Sequence, residues 1–352
     1  MITSIRLQNF RSYGDESFEF DPSVNIIVGP NASGKTNLLE AVMVLAQGGS
    51  YRGKDIDLVK FNKPWSRLDG YFDQQTRSIK LEPSFSNVAK TLVLNDKEFK
   101  RLNTERTIPI VFFEPNHLQL LIRGPEGRRE YIDNLIADTN PVFKTIINNY
   151  RRALAQRNSL LKKGPHEAAR QLFAWNVRLG EIGSQIARER QLMVDKLNKK
   201  LSKTYSQIAQ TKSTLKLEYA NQFPVEIYAQ QLISRLEKNE ALDIQRGFTA
   251  AGPHREDFVF YLNKKPADAS ASRGETRSLL LSLKALELEL IEKARGAKPI
   301  FLLDDVFSEL DGVRRRALVE LLKNNQAIIT TTDADAVIEY FDDGHKLIPL
   351  NK

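Results

Sequence analysis

The 352-residue sequence contains no cysteine and only four histidines. Without cysteine the chain can form neither a disulfide nor a thiolate metal site, and four scattered histidines give little basis for a zinc site. No run approaches the roughly 18 consecutive apolar residues that predict a membrane-spanning helix. The first residues, Met1 to Leu7, alternate like a β-strand and lack the long apolar centre of a signal peptide. We therefore expect a cytoplasmic protein with no membrane partner and no resident zinc.

Charge is unevenly distributed along the chain. The formal net charge is +8, but residues 144–203 alone hold 14 lysines or arginines against four acidic residues. The rest of the chain is therefore slightly acidic. A concentrated positive segment is typical of proteins that bind a polyanion, above all nucleic acid. The alternative is that these side chains form the solvated faces of long helices.

Residues 29–36 fit the pattern G-x-x-x-x-G-K-[ST], the loop that wraps the phosphates of a nucleotide with backbone N–H groups. The two glycines can take φ > 0 and carry no Cβ, so the loop can curl with its amides around an anion. Lys35 would supply a positive charge to the β and γ oxygens, and the Thr36 hydroxyl is placed to ligate Mg²⁺. The predicted nucleotide-binding residues of the loop are Gly29, Pro30, Asn31, Ala32, Ser33, Gly34, Lys35 and Thr36.

The flanking sequence distinguishes a phosphate loop from a glycine-rich turn of similar composition. A short apolar run, Asn25–Val28, precedes the loop, and a strongly helix-forming stretch, Asn37–Leu45, follows it. The strand, loop and helix order favours the phosphate loop, because the helix N-terminus adds positive potential. Upstream, residues 9–13 join two predicted strands and bring Arg11 or Tyr13 to the nucleotide, unless they form a surface turn.

A second motif lies far downstream, where the apolar run 299–303 ends in Asp304 and Asp305. Such a run suits a parallel strand buried on both faces, and ligands bind at the carboxyl ends of these strands. Asp304 is placed to hold Mg²⁺ opposite Thr36, and Asp305 to orient or deprotonate an attacking water. An acidic pair after a strand is also an ordinary helix N-cap. The phosphate loop makes the nucleotide interpretation the stronger one.

The periodicity between the two motifs changes twice. Four predicted strands suggest a mostly antiparallel sheet beside the nucleotide-binding core; they are Arg67–Phe72, Ser78–Leu81, Thr91–Leu94 and Ile108–Phe113. From Glu114 to about Leu236 the pattern is helical. We therefore predict an α/β fold with a mixed sheet and an antiparallel sheet. Residues 1–113 and 247–352 would form one α/β nucleotide-binding domain, and residues 114–246 an inserted, basic, all-helical lobe.

The order of the motifs resembles that of the ATPase head shared by ABC and SMC-type proteins. Ser272 and Glu275 form a predicted capping box before a long helix, and residues 272–275 correspond to the signature loop. Residues 308–311 correspond to the D-loop. Within this group the chain resembles the RecF family of bacterial recombination mediators, and no long coiled coil separates its motifs as in SMC proteins. The resemblance is carried by residues 9–13, 29–37, 123–129, 252–257, 271–275 and 303–311.

The resemblance implies a weak, DNA-stimulated ATPase that uses ATP and Mg²⁺. Two chains would meet head to tail when ATP is bound, with Ser272 and Gly274 of one chain facing Lys35 and Thr36 of the other. Asp305, Lys35 and Ser272 would be the catalytic residues. Gapped DNA or a junction of single-stranded and duplex DNA would be bound, and RecO and RecR would be partners in recombinase loading. The basic segment then becomes a candidate DNA surface, with these cations to test first: Arg151, Arg152, Arg157, Lys162 and Lys163.

Three features depart from the wider group. Asp305 stands where ABC ATPases usually carry glutamate, which suggests slow hydrolysis, and Glu275 replaces the glutamine of the signature. No histidine occurs at 330–332, where transport ATPases carry a switch histidine, so Thr332 or Asp333 substitutes or the role is absent.

Other assignments stay open at this stage. Gln47 and Glu114 are both candidates for the Q-loop residue. Two other functions compete with the DNA-repair hypothesis. A transport ATPase subunit would need a membrane partner and a switch histidine, and a regulatory module would bind nucleotide without hydrolysing it.

Overall fold

The computed structural model describes residues 1–85, 87–120, 124–163, 165–341 and 344–350. Arg123, which belongs to one of the motifs quoted above, lies outside the described residues, as does the predicted helix end at Ile122. The chain divides into two compact units. The first comprises residues 1–118 and 287–352, and the second comprises residues 119–286.

The strands of the described residues are, in chain order, β1 (Ile2–Gln8), β2 (Asp15–Glu19), β3 (Val24–Val28), β4 (Ser66–Phe72), β5 (Gln75–Pro83), β6 (Val88–Leu94), β7 (Lys97–Phe99), β8 (Ile110–Phe113), β9 (Leu215–Ala220), β10 (Asp257–Leu262), β11 (Lys265–Pro266), β12 (Ile300–Asp304), β13 (Ala327–Thr331) and β14 (His345–Pro349). The helices are α1 (Lys35–Gln47), α2 (Pro125–Thr139), α3 (Pro141–Leu161), α4 (Pro165–Ala209), α5 (Tyr228–Lys238), α6 (Glu240–Arg246), α7 (Ala267–Ser270), α8 (Arg273–Arg295), α9 (Gly312–Leu322) and α10 (Asp335–Ile338). Among these helices, none combines the length and the apolar character needed to cross a membrane.

The first unit contains two sheets with α1 packed against both. One sheet is antiparallel, in the order β2-β1-β4-β5-β6-β7, and the other is parallel, in the order β14-β3-β13-β12-β8. Residues 38–46 of α1 are all buried, as expected for a helix stretch that is apolar apart from Glu40. One hydrophobic cluster joins Leu68 of β4, Val42 of α1 and Ile328 of β13. The helix that follows the phosphate loop is therefore the centre of this core.

The parallel sheet brings the two predicted motifs to the same edge. β13 lies between β3 and β12, so the loop after β3 and the acidic end of β12 leave the sheet at neighbouring positions. β8 also belongs to this sheet, because Phe113 pairs with Leu303 in parallel register. The prediction that Ile108–Phe113 joins the antiparallel sheet was wrong. The uninterrupted apolar run of β8 is typical of a strand that is covered on both faces, as in a parallel sheet.

The second unit is built on helices and one small sheet. α4 packs against α3 and α5, and the sheet has the order β11-β10-β9. Sequence analysis missed β9, although Leu215–Ala220 alternates buried and exposed residues along its whole length. Because β10 pairs with β9, this unit runs past the predicted lobe boundary at Arg246 to Leu286.

Candidate nucleotide-binding site

The phosphate loop turns from β3 into α1 through two left-handed residues. Gly34 has φ 103° and Ala32 has φ 67°, whereas Gly29 is outside the left-handed region. The expectation of a positive φ at both glycines therefore holds for Gly34 alone. Gly29 is required for space instead, since a Cβ there would lie 2.7 Å from the Leu350 carbonyl oxygen and from Ser33 Oγ. Gly34 thus allows the left-handed backbone conformation, and Gly29 allows the close approach of the Leu350 carbonyl and Ser33.

The side chains of the loop fit an anion. Lys35 Nζ donates hydrogen bonds to the carbonyl oxygens of Gly29 (2.7 Å) and Pro30 (2.9 Å), so its charge lies across the loop. Ser33 Oγ is buried and has no hydrogen-bond partner among the described residues. A buried hydroxyl without a partner is costly, and a phosphate oxygen would satisfy it. The loop therefore suits the phosphates that its sequence predicts.

Thr36 and Asp304 lie together although 268 residues separate them. Thr36 Oγ1 donates to Asp304 Oδ1 at 3.0 Å, and Asp304 is only 9% exposed. The end of β12 and the start of α1 position the two groups. Hydroxyl and carboxylate oxygens are the ligands that Mg²⁺ prefers, so the predicted pair has suitable chemistry for that ion.

Asp305 follows Asp304 in a left-handed conformation, with φ 52°. Its backbone N–H donates to Thr330 Oγ1 at 2.9 Å, and Ser308 Oγ donates to its carbonyl oxygen at 2.8 Å. Burial raises the pKa of the Asp305 carboxyl, an effect that the nearby charge of Lys35 opposes and that of Asp304 reinforces. A raised pKa makes a carboxylate a better proton acceptor, which suits the role predicted for Asp305.

Arg11 is fixed by a buried carboxylate that sequence analysis missed. Glu40, one turn after Thr36 in α1, is fully buried, and Arg11 pairs with both of its oxygens at 2.8 and 2.9 Å. Arg52 and Ser50 donate to the same carboxylate at 2.7 and 2.5 Å. Burial alone would raise the pKa of Glu40, but these hydrogen bonds outweigh it and the pKa is lowered. A glutamate inside an apolar helix pattern is the signal that could have revealed this cluster.

Tyr13, the other residue predicted in the upstream loop, contacts the phosphate loop directly. Its hydroxyl donates to the Gly34 carbonyl oxygen at 3.0 Å, and a Cβ at Gly34 would lie 2.9 Å from that hydroxyl. The loop of residues 9–13 is therefore packed on the phosphate loop and on α1 rather than forming a detached surface turn.

The two Q-loop candidates lie in different places. Gln47 is at the far end of α1, where its amide donates to the Ile108 carbonyl oxygen at 2.6 Å. Glu114 directly follows β8, whose last residue pairs with Leu303 beside Asp304. Position therefore favours Glu114 over Gln47 as the residue near Asp304, the predicted metal-binding carboxylate.

The predicted signature residues belong to the second unit. Ser272 is exposed and Gly274 is partly buried. Glu275 N donates to Ser272 Oγ at 3.3 Å, and Ser272 N donates to the Glu275 carboxylate at 2.8 Å. The predicted capping box at the start of α8 is therefore present.

The predicted DNA-binding cations divide into two groups. Arg151 and Arg152 on α3, and Lys162 and Lys163 just after it, are exposed. Arg157 is fully buried, so its assignment as a DNA contact was wrong. Position 157 falls on the face of α3 turned to the interior, and its guanidinium is fully engaged there with protein groups. Its partners are Asn176, Asp243 and Thr249, each at 2.8 Å.

Comparison with known proteins agrees with this geometry. The model of the RecF/RecN/SMC N terminal domain family matches residues 1–348. A DNA replication and repair protein RecF from Desulfitobacterium hafniense is 34% identical over 346 residues, covering 96% of this chain and 95% of that protein. A solved structure of the recombination mediator protein RecF with ATP has a TM-score of 0.83 at 32% identity, covering 94% of this chain and 92% of that one. A second, solved as RecF-ATPrS, has a TM-score of 0.87 at 32% identity, covering 99% and 96%.

The fold is that of the ATPase head of the SMC and RecF class. Its marks are a phosphate loop before a central helix, an acidic strand two positions along a parallel sheet, and an inserted helical unit. The predicted α/β fold class is thereby confirmed, except that the sheet predicted to be mixed is parallel in every strand pair of the described residues. The similar proteins identify the family within this class. The chain belongs to the RecF family of DNA replication and repair proteins.

Proposed function

We propose that this chain is an ATP-dependent DNA-binding protein of replication and recombinational repair. In this proposal ATP controls a homodimer that binds gapped DNA or junctions of single-stranded and duplex DNA and assists recombinase loading, with RecO and RecR as partners. The observation that carries the nucleotide part is the approach of Thr36 Oγ1 to Asp304 Oδ1 beside a phosphate loop that holds an unpartnered buried hydroxyl.

The phosphate-loop residues would hold the triphosphate. Backbone N–H groups of the loop and the Ser33 hydroxyl would donate to phosphate oxygens, and Lys35 would exchange the Gly29 and Pro30 carbonyls for the phosphates. Thr36 and Asp304 would hold Mg²⁺, which neutralises charge on the phosphates when it is bound.

Asp305 would accept a proton from, or orient, the attacking water. Its raised pKa favours proton acceptance. Aspartate is one methylene shorter than glutamate, and we infer that hydrolysis is slow for this reason. Slow hydrolysis suits a protein in which bound ATP maintains the dimer, because the dimer then persists until the ATP is hydrolysed.

The dimer would form because a second copy of the chain binds the γ-phosphate of the ATP held by the first. Ser272 is exposed at the start of the 23-residue helix α8, whose N-terminus favours negative charge. In the dimer, Ser272 and Gly274 of one copy would meet the nucleotide held by Lys35 and Thr36 of the other. ADP lacks the bridging group, so hydrolysis would loosen the dimer.

Two substitutions separate binding from hydrolysis. Lys35→Met should abolish ATP affinity, whereas Asp305→Asn should keep ATP bound, slow hydrolysis by at least about 100-fold, and prolong the dimer. Nucleotide binding, phosphate release and sedimentation are measured on the same preparations. If Asp305→Asn hydrolysed ATP like the parent, Asp305 would not have the role assigned to it.

Sedimentation with ATP, ADP or no nucleotide, each with and without gapped DNA, tests the whole proposal. We expect a dimer with ATP, a monomer with ADP or without nucleotide, and a larger complex when gapped DNA is added to the ATP-bound protein. A chain that dimerises equally in all three nucleotide conditions would contradict nucleotide control. A parent that binds ATP but never hydrolyses it would instead support the non-hydrolysing regulatory module.

A further inference from the structure

Thr330 lies in the middle of the parallel sheet, between the two motifs of the nucleotide-binding site. It is fully buried, and in register it pairs with Asp304 of β12 on one side and Ile27 of β3 on the other. Sequence analysis considered residues 330–332 only for the absence of a switch histidine and gave Thr330 no role. Its hydroxyl nevertheless contacts the side chain of Asp304, the last residue of β12, and the backbone N–H of Asp305, which follows it.

The first contact fixes the metal-binding carboxylate. Thr330 Oγ1 donates to Asp304 Oδ1 at 2.7 Å, and Thr36 Oγ1 donates to the same oxygen at 3.0 Å. One hydroxyl from β13 and one from α1 therefore hold the same carboxylate oxygen. If Thr36 were to ligate a cation instead, the Thr330 hydroxyl would still hold Asp304 in its orientation.

The second contact fixes the turn into Asp305. The Asp305 N–H donates to Thr330 Oγ1 at 2.9 Å, and this residue is held at φ 52°. A left-handed conformation is unfavourable for residues other than glycine and persists only where the surroundings determine it. Because the Thr330 hydroxyl accepts from Asp305 and donates to Asp304, each of its hydrogen bonds polarises and strengthens the other.

We propose that Thr330 is a positioning residue that couples the Asp304 carboxylate to the Asp305 turn through a single hydroxyl. The inference rests on the proposed nucleotide-binding function and adds a residue to it. Groups that hydrogen-bond a metal-binding carboxylate orient it, and their loss typically lowers metal affinity or activity 10- to 100-fold. Thr330 touches neither nucleotide nor water in this proposal, and it acts through its two neighbours.

The test compares Thr330→Val, which has nearly the same shape but lacks the hydroxyl, with Thr330→Ser, which keeps it. Affinity for a fluorescent, non-hydrolysable ATP analogue is measured in EDTA and across a Mg²⁺ titration. In EDTA we expect all three proteins to bind alike. With Mg²⁺ we expect Thr330→Val to need about 10- to 100-fold more cation for the same gain in affinity, and Thr330→Ser to behave like the parent.

Thermal unfolding is recorded for each variant, because a merely structural threonine would lower stability without changing the Mg²⁺ dependence. If Thr330→Val does not fold, Thr330→Ala replaces it, since alanine adds no bulk. An unchanged Mg²⁺ titration in a folded variant would overturn the proposal. So would Thr330→Ser losing as much as Thr330→Val, since the hydroxyl would then not be the active group.

A double-mutant cycle with Asp304→Asn identifies the route of the effect. If Thr330 acts through Asp304, Thr330→Val should change the Mg²⁺ titration of Asp304→Asn far less than that of the parent. Full additivity would contradict the coupling. A parent that fails to bind the analogue at any Mg²⁺ concentration would refute the proposed function itself, an outcome distinct from a parent and Thr330→Val that bind equally well.

Discussion

His254 is held as a neutral imidazole in the interior of the second unit. Its Nε2 lies 3.1 Å from the Thr249 carbonyl oxygen and its Nδ1 lies 2.9 Å from the Tyr150 hydroxyl. The first partner accepts a hydrogen bond and the second can donate one, which fits the tautomer protonated at Nε2. Burial lowers the pKa of His254 to about 4, and the charges of Arg255 and Arg129 act in the same direction.

This imidazole makes stability depend on pH. The folded pKa, about 4, lies below the ordinary value of 6.5, so the unfolded chain takes up a proton first as the pH falls. The stabilisation is complete above about pH 6.5 and is lost progressively toward pH 4, by roughly 3 kcal/mol in all. Urea unfolding at intervals between pH 7.5 and 4.5 measures it. His254→Gln should flatten the profile, and an equally steep profile in that variant would assign the effect to other groups.

Arg157 stabilises the fold rather than a DNA complex. Its buried guanidinium pairs with Asp243, which is equally buried, at 2.8 Å. Arg157→Met leaves that carboxylate without its counter-charge, and we expect a loss of about 3 to 5 kcal/mol in the free energy of unfolding. Arg152→Met on the exposed side of α3 is the matched control and should change stability by less than about 0.5 kcal/mol. Denaturant unfolding of both variants decides the matter, and equal small effects would mean that the buried pair is not formed.

At the scale of elements, α4 protects the open edge of a sheet. β9 is the last strand in the order β11-β10-β9, so within the part of the chain that the structure describes its outer edge has no neighbouring strand. Asn198, Ser202 and Ser206 follow at four-residue steps on one face of α4. Asn198 accepts from the Leu217 N–H at 2.9 Å and donates to its carbonyl oxygen at 2.7 Å, and the two serines bond to the Leu215 N–H and the Ser213 carbonyl oxygen, both at 3.3 Å. Side chains of a helix thus take the place of a strand.

Removing the first of these side chains should expose the edge. Asn198→Ala leaves both backbone groups of Leu217 without their partner, and we expect a loss of about 1 to 3 kcal/mol. Lys199→Ala, at the exposed next position, serves as the control and should be nearly neutral. Chemical unfolding gives the free energies, and light scattering during refolding reports whether the bare edge promotes association. Equal stabilities of the two variants would show that the contact adds nothing.

At the scale of the whole molecule, the positive charge is concentrated in the unit that contains α3 and α4. Arg151 and Arg152 are adjacent and exposed there, and we propose that they contact phosphates. Replacing both with serine should weaken binding to gapped DNA and lower the slope of log affinity against log salt by about two, with ATP affinity unchanged.

The matched control for this prediction carries the same charge change elsewhere. Lys97→Ser with Lys100→Ser removes two exposed cations from the first unit. Both double variants are titrated with gapped DNA at several salt concentrations. Equal salt slopes for the two variants would mean that the arginines act only through net charge and do not contact the DNA.

Several features could be predicted because their causes are local. The phosphate loop, the acidic strand end and the capping box each depend on residues within a few positions, and α1 was recognisable because its sequence strongly favours a helix. The alternation of β9 was equally local but was overlooked among helical neighbours. The burial of Arg157 could not be predicted, because arginine is usually exposed and its partner Asp243 lies 86 residues away.

The amino-acid order was sufficient to predict a nucleotide-binding site, because a G-x-x-x-x-G-K-[ST] loop and a downstream strand that ends in paired aspartates have few other uses together. It could not specify which distant groups would support that chemistry. Glu40 acquires Arg11 and Arg52, and Thr330 acquires Asp304 and Asp305, only when the sheet and α1 assemble. Hydrogen bonds act over about 3 Å, so contacts between residues far apart in the chain exist only after packing has fixed their positions.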